Sequence, residues 1–78
     1  MNRNYGNAYY TTQPVDDKLD GYSGLELYRS RKERKDRVAR VVFWDASGQF
    51  AFETFGTELP LEIVEELIAE VRAKVKIS

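Results

Sequence analysis

Asp16, Asp17 and Asp20 lie close enough in the chain to gather a hard cation. Calcium takes about six to eight oxygen ligands from such groups. Their spacing matches no calcium loop, so a solvated acidic cluster is the expectation and no metal ligand is assigned. Glu62, Glu65, Glu66 and Glu70 form a second acidic set, and Glu62, Glu66 and Glu70 repeat at four-residue spacing on one helix face. An exposed helix surface that complements the helix dipole accounts for them. Ser23 sits in Gly21-Tyr22-Ser23-Gly24. Without a histidine to activate it, that stretch reads as a flexible joint.

The 78 residues contain no cysteine and no histidine. Disulfides, thiol nucleophiles, Cys/His zinc sites and histidine-based triads are therefore excluded. No phosphate loop, dinucleotide fingerprint or nucleophile elbow occurs. The expectation is a protein that is no enzyme, needs no cofactor and acts by binding.

Charge and aromatics are the remaining recognition elements. The net charge of −1 hides an uneven distribution. Residues 25–40 hold seven basic side chains (Arg29, Arg31, Lys32, Arg34, Lys35, Arg37 and Arg40) and three acidic ones, whereas residues 41–78 hold three basic and seven acidic. Such asymmetry suits partner recognition or self-association by charge complementarity, and a solvated charged turn is the plainer reading. The basic segment runs into Phe43 and Trp44, with Phe50 and Phe52 in the next strand. Cations beside aromatics on a sheet can hold single-stranded nucleic acid, which makes those seven basic residues candidate contacts. In element order alone, strands followed by one C-terminal helix, the chain resembles small dimeric coactivators that grip single-stranded DNA on their sheets. The resemblance implies a site on the sheet but assigns no residue.

Residues 1–24 form an irregular tail, flexible or docking, that carries Tyr5, Tyr9, Tyr10 and Tyr22, four of the five tyrosines. Tyrosine suits adhesive segments because it offers a large area with few rotatable bonds. Residues 25–78 form one domain. Leu25–Arg31 alternates as a short strand, and Lys32–Lys35 is an exposed connection. Asp36–Asp45, rich in valine and aromatics, is the strongest strand. Asp45-Ala46-Ser47-Gly48 is a turn, and Gln49–Phe55 is the return strand. A three-residue loop sets Trp44 opposite Phe50 and Val42 opposite Phe52. A four-residue loop instead joins Phe43 to Phe50, Val41 to Phe52 and Arg40 to Glu53. We favour the first. Thr57 is a candidate cap and Pro60 belongs in the first turn of a helix running to about Lys76. Leu61, Val64, Leu67, Ile68, Val71 and Val75 fill an arc of about 120°, with Ile63 at its edge.

The expected fold class is α+β: a three-stranded antiparallel meander, β-β-β-α, with the C-terminal helix on one sheet face. One helix leaves the second face bare, and monomers rarely expose large apolar patches. A second copy of the chain, the tyrosine-rich tail or a foreign protein should cover it. A homodimer is the favoured reading, with Trp44, Phe50, Phe52 and Tyr28 as interface residues. An accessory subunit of a larger assembly is a further alternative. No apolar run approaches the roughly 18 residues of a membrane span, and no leader opens the chain. No membrane partner is expected, and a cytoplasmic location is.

Overall fold

The computed structural model describes residues 1–75. Its elements are β1 (Asn2–Tyr5), β2 (Ala8–Asp17), β3 (Tyr22–Arg31), β4 (Arg34–Trp44), β5 (Gln49–Thr54) and α1 (Leu61–Lys74). The strands form one antiparallel sheet in the order β1-β2-β3-β4-β5. The class is α+β, as the sequence suggests, but the sheet has five strands rather than three. The N-terminal segment is no irregular tail: it supplies β1, β2 and the start of β3.

Local chemistry explains the two additional strands. Gly6 and Asn7 form a two-residue turn between Tyr5 and Ala8, and Gly6 takes φ = 62°. Glycine reaches that region without penalty, which is why Gly-Asn between two extended runs closes hairpins. Pro14 belongs to β2, where a proline usually counts against a strand. β1, however, pairs only with Ala8–Thr11. Thr12 still donates its N–H to the Met1 carbonyl at 3.2 Å. Two residues later the Pro14 nitrogen faces the same side, beyond the end of β1, where no ladder bond is lost.

The β4–β5 hairpin uses the four-residue turn. Val41 pairs with Phe52, Phe43 with Phe50, and Arg40 with Glu53. The favoured three-residue register is thereby corrected. Gly48 N–H reaches the Trp44 carbonyl at 2.8 Å, with Gly48 left-handed at φ = 67°, so the chain turns over one more residue than a type I turn with a bulge would use.

Alternation then sorts the side chains. Leu25, Leu27, Ala39, Val41, Ala8 and Tyr10 face α1 and bury themselves against Ile63, Leu67 and Val71. A bulge where β3 passes from Leu27 to Tyr28 leaves Val38 unpaired with β3 and lets both Val38 and Ala39 join this core. The helix packs chiefly on β3 and β4. Its buried stripe is Ile63, Leu67 and Val71, so Ile63 is fully buried while Leu61, expected in the apolar arc, is 72% exposed. Pro60 stands at the cap position and no side chain caps the helix; Thr57 accepts from Arg29 instead. The helix ends at Lys74, and the expected end near Lys76 lies outside the described residues.

Ionic contacts fasten one flank of α1 to β1. The Met1 amino group donates to Glu70 Oε1 at 2.8 Å and to Thr12 Oγ1 at 2.5 Å, and Lys74 Nζ donates to Glu70 Oε2 at 2.9 Å. Arg3 reaches Glu62 at 3.1 Å and also pairs with Glu66. Burial pushes the Glu70 carboxyl up, but the bonds from the Met1 amino group, Lys74 and Thr12 outweigh it and hold the carboxyl below its ordinary value.

A depressed carboxylate adds stability that is present above its ordinary value of 4.5 and is lost as pH falls through the lower folded value. The melting temperature should therefore fall on acidification through that window, and Glu70→Gln should flatten the decline, as read by circular dichroism melts across the pH series. Gly24 lies so close to β4 that a Cβ would meet the Val41 carbonyl oxygen at 2.0 Å and Val42 Cα at 2.7 Å. Gly24→Ala should cost about 3 kcal/mol in denaturant unfolding, because backbone and not a side chain must yield.

Candidate functional site

Two surfaces remain once the core is formed: the sheet face away from the helix, and the edge at β5. Tyr9, Tyr22, Glu26, Tyr28, Arg40, Val42, Trp44, Ala51 and Glu53 alternate onto the open face. Tyr22 and Trp44 are direct cross-strand partners with ring centroids 4.7 Å apart. The Arg40 guanidinium lies 5.1 Å from the Tyr22 ring centre, and its Nε donates to Glu53 Oε1 at 2.7 Å. Arg37 donates to Glu26 at 2.6 Å and covers the Phe55 ring, while the Lys35 ammonium stands 5.0 Å from the Tyr28 ring centre. Burial pushes the Tyr28 phenol up, and its bond to Glu26 at 3.1 Å adds to the shift. Val42, the one large aliphatic at the centre of this face, is only 2% exposed.

The open face is therefore a self-paired layer of rings and charges rather than a bare apolar sheet. Cationic and aromatic side chains lie over one another and shield the apolar floor. Part of the cover expected from another layer is thus supplied by the face's own side chains. The N-terminal residues widen the sheet instead of crossing it.

The β5 edge is different. Phe55 N–H donates to the Val38 carbonyl at 3.0 Å. By strand alternation Gln49, Ala51 and Glu53 also turn their N–H and C=O groups toward β4, which leaves those of Phe50, Phe52 and Thr54 pointing outward. Phe52 is 46% exposed. Beside it, Val41, Phe50, Ala51, Phe52, Ile68, Val71 and Arg72 line a cleft of about 130 Å³ between β5 and α1. The helix brings Ile68 and Val71 to this cleft and sets the Arg72 guanidinium 5.7 Å from the Phe50 ring centre, in contrast to the carboxylates on the β1 side. A largely apolar strip thus runs along a strand edge that is unpaired among the described residues.

The structure separates the four residues expected at an interface. Phe50 and Phe52 belong to the helix side, with Phe50 packed edge-on against Phe43 at 5.2 Å and against the core. Trp44 and Tyr28 belong to the open face, near opposite ends of the sheet. The seven basic residues also divide. Arg29 turns to the helix side and donates to Thr57 at 3.2 Å; its Nε is buried without a hydrogen-bond partner among the described residues. Arg34 pairs with Asp36, Arg37 with Glu26, and Arg40 with Glu53. Arg31 and Lys32 are exposed at the β3–β4 tip and enter no ion pair among the described residues. Asp16 and Asp17 point to opposite faces of β2, and the Asp17 carboxylate accepts the Asp20 N–H at 2.9 Å to shape the β2–β3 turn. Among the described residues no three potential ligands converge on a metal position, and no helix is long and apolar enough to cross a membrane.

Sequence reading put Gln49–Phe55 at an edge of its meander but missed the cleft beside Phe52, because that follows from where the helix lies. The turn length was the available signal: counting Asp45–Gly48 as four loop residues puts both phenylalanines on the helix side. Comparison with protein-family models, with curated proteins and with solved structures finds no match to this chain.

The open-face pairs should contribute little individually, because they remain wetted. A double-mutant cycle on Arg40→Met and Glu53→Gln, read by chemical unfolding, should give a coupling of about 0.5 kcal/mol, within the range for exposed ion pairs.

Proposed function

We propose that this protein is a non-enzymatic binding module that works as a homodimer, joined edge to edge through β5. The observation that carries the reading is the unpaired β5 edge with half-exposed Phe52 beside the apolar flank of α1. Exposed apolar edges template further strand pairing unless charge, proline, brevity or a covering element prevents it. The opposite edge is protected in this way: β1 has four residues and presents Asn2 and Asn4 with Arg3 tied to the helix. β5 has six residues, no proline and one charge, Glu53, which is occupied by Arg40.

A second copy is the simplest occupant. Two antiparallel β5 strands related by a two-fold axis satisfy their outward N–H and C=O groups reciprocally, and the contact closes on itself without growing further. The same symmetry sets Phe50 and Phe52 of both copies side by side on the helix face of a continuous ten-stranded sheet. The small core of a chain this size gives such pairing an energetic reason.

Sedimentation equilibrium at micromolar concentration should give twice the 9.1 kDa chain mass. Phe52→Lys should return the single-chain mass with an unchanged circular dichroism spectrum. Thr54→Pro should do the same, because it removes an outward N–H without touching the β4 ladder. A wild-type chain that stays at 9.1 kDa at every concentration would sink the reading.

A further inference from the structure

We propose a second contact surface, independent of β5: the β3–β4 hairpin tip, with the tyrosines behind it, grips the phosphate backbone of single-stranded nucleic acid. The tip breaks two local rules. Arg31 and Arg34 are direct cross-strand partners, and like charges in that position repel. Between them lies a two-residue turn, Lys32-Glu33, in which Lys32 holds φ = 54°. It is the one residue other than glycine with positive φ among the described residues. Glycine, asparagine or aspartate ordinarily occupies that position, and a long side chain there is strained.

Asp36 takes up Arg34 at 3.1 Å, but Arg31 and Lys32 have no ion-pair partner among the described residues, and the strain at Lys32 remains. Arg31, Lys32, Arg34 and Lys35 flank Glu33 and all five are exposed; with Asp36, which pairs with Arg34, the tip still carries four cations to two acids. Local strain and repulsion retained at an exposed position are expected where the side chains serve a partner, and this concentration of positive charge calls for an anionic one.

The adjoining open face indicates which anion. Tyr28 carries the Lys35 ammonium over its ring, and Tyr9, opposite Ser30 and diagonal to Tyr28, is 39% exposed. Rings interleaved with cations on a sheet accept stacked bases while the cations follow the phosphates. The tip itself, Arg31-Lys32-Glu33-Arg34, has no apolar side chain to enter a lipid surface. Trp44 stands at the far end of β4 and takes no part.

Lys32→Gly separates binding from folding. It relieves the backbone, so its melting temperature should rise, while the lost cation should weaken binding several-fold. The measurement is fluorescence anisotropy of a labelled oligothymidylate with the full chain across a salt series. Affinity should fall as salt rises, and each cation removed by Lys32→Gly or Arg31→Ser should reduce the log–log slope by about 0.7. Thr54→Pro should bind with unchanged affinity per chain, which separates this surface from the dimer edge. The proposal is overturned if wild type fails to bind at low salt, or if both tip variants bind as wild type does. Binding to phosphatidylserine vesicles without binding to the oligonucleotide would overturn it in favour of a membrane surface.

Discussion

The pairing of Val41 with Phe52 decides what each side of the sheet is made of. Side chains alternate strictly along a strand, so a hairpin one residue out of register exchanges its two faces. With the four-residue turn, Phe43, Phe50 and Phe52 lie on the helix side with Ala39 and Val41, and Arg40, Val42, Trp44, Ala51 and Glu53 form the reverse side. A slip of one would set Phe50 and Phe52 beside Trp44 and leave that side in need of a cover. The charge-and-ring layer exists because the turn sends the large benzyl groups elsewhere.

The helix obeys a second asymmetry. Toward β1 its carboxylates meet Arg3 and the Met1 amino group; toward β5 it offers Ile68 and Val71, with Arg72 over the Phe50 ring. Ionic contacts of this kind position an element more than they stabilise it. They hold one flank in place and leave the apolar flank beside an unpaired strand. The distribution of charge along α1 and the open state of the β5 edge are thus parts of one arrangement.

What was legible in the chain followed from period. The valine-rich β4, its return strand and the terminal helix could all be read, because each buries one face at a regular spacing. The first two strands could not be read from hydrophobicity. Asn2–Tyr5 and Ala8–Asp17 bury little besides Ala8 and Tyr10, and Pro14 counts against a strand unless the length of β1 is known. Gly6-Asn7 was the local clue, a hairpin signal obscured by the polar residues around it. The helix phase was misjudged by about one residue because periodicity weighs Leu61 and Ile63 alike, while Pro60 and the crossing from β5 leave Leu61 in solvent. The candidate interface was half legible: Phe52 was identified, but grouping it with Trp44 and Tyr28 depended on the register and the turn.

Each strand lies beside its neighbour in sequence, so no segment has to be threaded past another. Contacts made mainly between adjacent hairpins favour rapid formation of the sheet. Yet Ile63, Leu67 and Val71, which roof the apolar side, come after all five strands. On a ribosome adding about 5–20 residues per second, the meander is complete on the order of a second before its roof has been made. For that interval Leu25, Leu27 and Val41 face water together, and a nascent chain held apart from its siblings until α1 emerges is protected from clumping.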